Sequence, residues 1–565
     1  MSTPTLEGPP LESAGVPTHE TLPAFLADAC ARFRSNEALV FDDPLAGDTT
    51  VRWRYSDLAG VTRRVARGLL AARVAPGDRV AIVMGNRPEA VAAVFGVTTV
   101  GAVAVPLSTF SSEAELAYIG DDAGITFVLS QARLLKRDLR SEVEAAFPGV
   151  AGAVVGLARP DGARQDGARH DGAGPLRSWG ELLRAGNDVA DGEVDARRAR
   201  IDADDAGVII YSSGTTAHPK GMVHSHAAHA LQFRLQADVF GRNEATRLWT
   251  ALPMFWTAGF DTAMGPTLAA GGCWVMQETF EPGAALALMA REKATEPYTL
   301  PHQTAALEEH PDWLTTDLSS LRCVYGKSGF ARHPSVHGDP GWNMPVAYGL
   351  SETCASFATH RHDTPREILR ASMGRLQPGN RLRVIDPDSG RALGPDEDGE
   401  LAVAGATLMQ HYVGRTPEQS LDADGFFRTG DVGFYDQQGY LHWTGRRTEM
   451  IKTGGANVSP AELEVQLRAC PPVKLARVIG MPDDRLGQTV VLCAVLKDGA
   501  TATADELRAF LRERVASYKV PRHVLFFSDG EVPMTGSENK VRDAELARMV
   551  EQRLAQSRTG ASVEH

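Results

Sequence analysis

Residues 211–221 read YSSGTTAHPKG and follow directly on an apolar run, Gly207–Ile210. In a turn of this composition successive backbone N–H groups can converge on an anion. Ser212, Ser213, Thr215 and Thr216 add hydroxyl donors around Gly214. Lys220 adds a compact point charge suited to a polyphosphate. The stretch is not a Walker loop, which requires Gly-Lys-Ser/Thr; here Pro219 precedes the lysine. The lysine itself is informative. Only nine of the 58 basic residues are lysine, so one placed in a Gly-rich loop stands out against a background of arginine.

Four more segments carry groups of a related kind. Tyr348–Glu352, YGLSE, offers a ring that can stack on a purine, a hydroxyl for a phosphate oxygen and a carboxylate for Mg²⁺. Alone, it also reads as a turn with a capping Ser. In Phe427–Asp431, FRTGD, a buried Asp would accept both ribose hydroxyls, and a β-turn fits equally well. Residues 445–464, GRRTEMIKTGGANVSPAELE, place Arg446 for a ribose or phosphate contact. They also set Lys452, Gly454 and Gly455 in a basic, mobile-looking loop before a helix that Ser459-Pro460 starts well. Residues 533–542, PMTGSENKVR, present Lys540 on a turn, where a lone lysine also reads as surface charge.

These groups need a scaffold that brings them together. The chain has 565 residues, which suggests about three or four domain-sized units at roughly 100–200 residues each. Apolar residues make up 43% and charged residues 23%, which argues against global disorder and a multi-span membrane protein. The net charge of −13 disfavours a nucleic-acid-coating surface. Six irregularly spaced cysteines without a CxxC pair suit a reduced, cytoplasmic protein. Residues 1–17 read as a flexible leader without a secretory signal. The uncharged stretch Ala90–Leu107 contains Gly96, Gly101 and Pro106, so it reads as a buried helix running into a buried strand, not a membrane span.

From Thr18 onward, helical and strand patterns alternate. Leu22–Phe33, Tyr55–Ala72 and Pro88–Val97 read as helices and Arg79–Met84 as a buried strand, the signature of an α/β fold with stacked, mostly parallel sheets. Asp161–Gly174 is a near-repeat of Asp, Gly, Ala and Arg, so residues 157–178 are expected to form a flexible loop. Asp205–Ser212 reads as a strand, and helix and strand alternate again over Leu300–Val324. Short alternating strands over Arg381–Trp443 suggest a small β-barrel subdomain. Beyond Gly445 the pattern becomes a small α+β domain with helices at Pro460–Leu467 and Ala504–Val515. The expected division is a large domain over 18–445, a hinge at 446–449 and a small domain over 450–565. His224, His226, His229, His360 and His362 read as structural or hydrogen-bonding histidines, not as a metal site.

The five motifs, in this order and spacing, resemble the adenylate-forming superfamily of acyl-CoA synthetases, nonribosomal-peptide adenylation domains and firefly luciferase, from Thr18 to about Val550. The resemblance implies a mobile C-terminal lid domain that rotates between an adenylating and a thioester-forming pose. It implies ATP, Mg²⁺ and CoA as cofactors. It assigns Thr215, Thr216 and Lys220 to the β- and γ-phosphates, Tyr348 to adenine, Ser351 to the α-phosphate and Glu352 to Mg²⁺. Asp431 and Arg446 would hold the ribose, and Lys540 would reach the α-phosphate and the attacking carboxylate. Ser212, Ser213, Gly214 and Gly349 complete the nucleotide set, and Lys452 belongs to the loop where the family threads pantetheine. Such an enzyme turns a poor electrophile, a carboxylate, into an acyl-adenylate. The attacking group is already an anion, so positive charge and positioning are needed and no general base is.

The sequence also departs from the family pattern. Ala217 stands where Gly is usual in the phosphate loop, and Ser351 where Thr is usual. Trp256, in LPMFWTAG, occupies a position where the family often has His, and would either fill the acyl pocket or serve as core packing. Gly326-Lys327-Ser328 replaces a Gly-Gly-Ala-like turn, so Lys327 would pair with an anionic substrate group or point to solvent. Thr448 takes the usual hinge Asp or Lys, and Ser537-Glu538-Asn539 precedes Lys540 where Ser-Gly is usual. The expected acid pocket comprises Trp256, Gly259, Gly326, Lys327, Ser328 and Leu350. The expected function is adenylation of a small or aromatic acid followed by transfer to a thiol, CoA first. The alternatives are transfer to a carrier protein or an amine, including nitrite activation for an arylamine. No nucleic acid and no membrane span are expected, and a homodimer is left open.

Overall fold

The computed structural model describes residues 4–47, 49–156, 176–212, 219–326, 328–339, 342–369, 371–387, 389–446, 450–497, 499–528, 530–533 and 543–560. The chain divides into two compact units. One comprises Met1–Thr109, Leu116–Ser212 and Lys220–Arg447; the other comprises Phe110–Glu115, Ser213–Pro219 and Thr448–His565.

The larger unit is built on two mostly parallel sheets. The eight-stranded sheet has Arg79–Val83 near its middle, paired in parallel with Val103–Pro106 and Ile125–Gln131. Val80, Ala81, Ile82 and Val83 are all buried. A strand apolar on both faces must be covered by helices on both sides. The helix Pro88–Thr99 is one of these, begun by Pro88 and buried along almost its whole length. Its polar Thr98 and Thr99 hydroxyls donate back to Val94 and Phe95 carbonyls, which lets them sit among apolar neighbours. The helix Tyr55–Ala71 buries Leu58, Thr62, Val65 and Leu69, one face at helical spacing. Each fully buried Leu or Val contributes about 1.5–3 kcal/mol. No helix among the described residues is long and apolar enough to cross a membrane.

The five-stranded sheet contains Glu37–Asp43, Thr49–Arg54, Arg247–Thr250, Cys273–Met276 and Glu296–Pro297. The β-rich segment forms an open half-barrel of six antiparallel strands, among them Gly399–Ala404, Phe427–Tyr435 and Leu441–Arg446.

Three expectations change in the larger unit. The segment read as a flexible leader contributes an edge strand, Leu6–Glu7, paired with Arg381 and Leu382, and the Gly8 N–H donates to the Asn380 carbonyl. Leu176–Ser178, assigned to the flexible loop, pairs in parallel with Gly152–Val154; the repeat at Asp161–Gly174 lies outside the described residues. Leu300–Val324 holds a helix, Pro301–Glu308, but no strand follows it. Instead the Arg322 and Cys323 N–H groups both donate to the Thr295 carbonyl, which satisfies that buried backbone without a ladder.

The smaller unit centres on a long hairpin, Val473–Asp483 with Gly487–Leu496. Helices Pro460–Arg468, Ala504–Arg512 and Asp543–Gly560 accompany it. The basic stretch read as a mobile loop is a second hairpin, Ile451–Thr453 with Ala456–Val458. Gly454 and Gly455, at φ 56° and 81°, supply the left-handed turn that joins strands of this twist. Among its described residues the unit buries one lysine. Lys519 Nζ lies 2.7 Å from Glu462 and 2.7 Å from Glu115, and all three side chains are buried.

Candidate active site

The strand Ala206–Ser212 ends where the polar turn begins, and the chain returns antiparallel as Lys220–Ser225. This register sets Lys220 directly across from Ser212. Ser213, Gly214, Thr215, Thr216 and Ala217 lie outside the described residues, so the strands define the two ends of the turn. The half-buried Lys220 ammonium stands 5.5 Å from the centre of the Tyr412 ring. The Arg415 guanidinium stands 5.6 Å from the same ring. Burial pulls the Lys220 pKa below its ordinary value, Arg415 adds to that, and Glu352 opposes it.

Glu352 belongs to a short 3₁₀ turn, Ser351–Thr353, that follows the strand Ala347–Tyr348. Its Oε1 accepts the Tyr412 hydroxyl at 2.7 Å, which orients the carboxylate. Its backbone carbonyl accepts the Met409 N–H at 2.7 Å. Gly349 lets the turn fold tightly: a Cβ there would sit 2.0 Å from the Ala355 carbonyl oxygen. Ser351 and Leu350 are half-buried on the same turn.

Tyr348 is 6% exposed and donates its hydroxyl to Asp431 Oδ2 at 3.0 Å. Asp431, 4% exposed, sits in Phe427–Tyr435 with Arg446 across from it in the neighbouring strand. Gly430, at φ 71°, bends the backbone just before it, a conformation other residues rarely adopt. The Thr429 hydroxyl accepts the Asp431 N–H at 3.0 Å and fixes the turn. The structure thus joins the second motif to the first through Tyr412, and to the third through Asp431.

The expected acid-pocket residues are less tightly knit. Trp256 is half-buried with its ring edge-on to Phe255 at 5.9 Å. Gly259 lies just beyond, where a Cβ would meet the Pro253 carbonyl at 2.0 Å. It lies in a π-helical segment, Ala258–Met264, a form frequent at functional sites. Gly326 is exposed, and the Ser328 hydroxyl donates to the Tyr325 carbonyl of its own turn at 2.6 Å. Lys327 and Lys540 lie outside the described residues, as do hinge residues 447–449. Lys452 is exposed on the hairpin of the smaller unit, where its N–H donates to Gln488. Sequence reading missed Tyr412 and Arg415, which stand in HYVGR without a Gly-rich or charged cluster to mark them.

Lys220, Arg415 and Glu352 thus gather around Tyr412, and a second anchored carboxylate, Asp431, is held by Tyr348, an arrangement of charges suited to an anionic ligand in an α/β fold. Residues 26–413 match the AMP-binding enzyme family and residues 462–539 its C-terminal domain. The chain belongs to the AMP-binding enzyme family and is an ATP-dependent, AMP-forming ligase. It is 32% identical over 507 residues to a feruloyl-CoA synthase of Amycolatopsis sp, covering 87% of this chain and 93% of that one. It is 29% identical over 514 residues to an indoleacetate–CoA ligase of Aromatoleum aromaticum, covering 89% and 95%. Its structure is similar to that of the amide bond synthetase McbA from Marinactinospora thermotolerans, with a TM-score of 0.73 and 26% identity over 94% of this chain and 99% of that one. The adenylate-forming fold read from the five motifs is borne out.

Proposed function

We propose that this ligase adenylates a small or aromatic carboxylic acid and transfers the acyl group to CoA. The acid oxygen attacks the α-phosphorus of ATP and pyrophosphate leaves; the CoA thiolate then attacks the acyl carbon and AMP leaves. The observation that carries this reading is the Lys220–Tyr412–Glu352 cluster. It places a half-buried cation and an oriented carboxylate together, beside the Tyr348–Asp431 pair. Relatives named as feruloyl-CoA and indoleacetate–CoA ligases support an aromatic acid and CoA. The half-buried Trp256 suits a flat substrate.

Each residue has a task in this reading. Lys220, with Ser212 and the turn Ser213–Thr216, holds the outer phosphates. Tyr348 packs on adenine with Gly349, and Ser351 meets the α-phosphate. Asp431 and Arg446 hold the ribose. Lys540 balances charge at the reacting phosphorus, and Lys452 lies along the thiol's path. Glu352 offers the hard oxygen donor that Mg²⁺ favours, and one carboxylate suffices because the phosphates complete the shell. Mg²⁺, when bound, draws charge from the departing pyrophosphate. A second reading, transfer to an amine, is favoured by the similarity to McbA, named as an amide bond synthetase.

Acid-dependent ATP–pyrophosphate exchange over a panel of aryl, short-chain and inorganic oxyacids tests the first step. Exchange with aryl acids is expected, and none with any acid sinks the reading. Mass spectrometry of products formed with CoA or with amines then separates the two acceptors. Asp431→Asn tests the ribose contact. An amide keeps the shape but offers one acceptor where the carboxylate offers two. Loss of a charged hydrogen bond costs about 1.5–3 kcal/mol, so the KM for ATP should rise about 10–100-fold. An unchanged KM would take Asp431 out of the site.

A further inference from the structure

Behind the Ser351–Glu352 turn lies a group of four side chains that the adenylation chemistry does not use. His224 lies on the strand Lys220–Ser225, His229 on the helix His226–Val239, Cys354 follows the turn, and Asp261 comes from the π-helical segment. His224, His229, Asp261 and Cys354 are each 0% exposed. His224 Nδ1 lies 3.4 Å from Cys354 Sγ, and His229 Nδ1 lies 2.6 Å from Asp261 Oδ1. The two imidazole rings are 4.9 Å apart between centres. One donor atom from each of His224, His229 and Cys354 falls within 4.8 Å of the others.

His229 Nε2, the ring nitrogen that is not bonded to Asp261, is buried without a partner, and His224 Nε2 and Asp261 Oδ2 also lack one. Each unsatisfied buried group costs about 1–3 kcal/mol. The backbone adds to the oddity. Cys354 has φ 50° and ψ 53°, a left-handed conformation that disfavours a side-chain-bearing residue. Such strain persists where the surroundings over-determine it.

We propose that His224, His229 and Cys354 supply three ligands of a buried zinc site, with a water or other small ligand in the fourth position and Asp261 orienting His229. Two imidazoles and one thiolate are a ligand set that selects zinc over magnesium or calcium. Tetrahedral bonds of about 2.3 Å to sulfur and 2.0 Å to nitrogen put the two ligand atoms roughly 3.5 Å apart. The observed 3.4 Å between Cys354 Sγ and His224 Nδ1 matches this, so His224 would bind through Nδ1. The Asp261 bond to His229 Nδ1 leaves Nε2 as the ligand atom, the usual carboxylate–histidine–metal arrangement. Charge balances: a thiolate and a carboxylate offset a dication, which a dry interior requires. Binding releases the Cys354 thiol proton to solvent. The ion would tie the strand behind Lys220 to the turn that carries Glu352.

Metal analysis of the full chain, stripped with chelator and reconstituted with zinc, should find about one equivalent per chain. Cobalt(II) substitution should give a near-ultraviolet sulfur-to-cobalt charge-transfer band. Cys354→Gly relieves the left-handed backbone and should fold, yet lose both the zinc and the band. Cys493→Ser, in the other unit, should keep both. Zinc below about a tenth of an equivalent in the reconstituted wild type would overturn the assignment. So would a cobalt band that persists in Cys354→Gly.

Discussion

Lys220→Ala is expected to lower kcat/KM for ATP by about 10²–10³-fold in acid-dependent pyrophosphate exchange. The residue is one of nine lysines and stands across the sheet register from Ser212, where the phosphate turn closes. Its charge is half-buried, so it acts on a phosphate through a lower dielectric than water offers. Arg415 works against it, and Glu352 only partly compensates. A bound polyphosphate would relieve that repulsion, so the cation is poised for a ligand and not for the fold. Stability should therefore hold when Lys220 is removed. Lys220→Arg keeps the charge on a planar fork of different reach and should recover no more than about tenfold. The outcome that removes Lys220 from catalysis is exchange by the Ala variant at close to the wild-type rate.

The second large effect concerns stability. Lys519→Met should cost about 3–5 kcal/mol, read as a lower thermal midpoint for the unit that contains it. Lys519 sits between Glu115 and Glu462, each at 2.7 Å, with almost no solvent exposure. One ammonium cannot neutralise two buried carboxylates. Burial pushes Glu462 up to about 7, Lys519 holds it down, and Glu115 pushes it further up. Because an unfolded Glu titrates near roughly 4.3, the folded state retains a proton between that value and about 7 that the unfolded chain has released. The stabilisation from this proton is therefore present at low pH and fades as pH rises towards 7. The Met variant removes the cation that makes the ionised form tolerable, so its deficit should be larger at pH 8 than at pH 5. Equal deficits at both would show that Glu462 is not the group left stranded.

Local motifs carried the nucleotide residues because each is a short segment with an unusual composition. The Gly/Ser/Thr turn, YGLSE and FRTGD could each be read within a few residues of themselves. The helix Pro88–Thr99 was legible from continuous apolar character, since a helix buried on all sides needs no periodicity. Contacts between distant segments were not legible. Tyr412 joins Lys220 and Glu352 across the sheet, and nothing near residue 412 announces it. Cys354 and His224 are 130 residues apart, so the contact between them could not be read from either segment. Leu321–Val324 has strand-like apolar character, yet its N–H groups find irregular partners, a choice made by tertiary packing.

The short strand Leu6–Glu7 bears on how the protein is handled. It covers part of the edge of Arg381–Ile385, in the same half-barrel that carries Asp431. An uncovered edge offers unpaired N–H and C=O groups to any other extended chain. Tags or protease sites placed before residue 4 leave this cover in place, whereas trimming into residues 6 and 7 exposes it. A shortened version would therefore trade a tidy N-terminus for a sticky one, and its first symptom would be association during concentration, not loss of turnover.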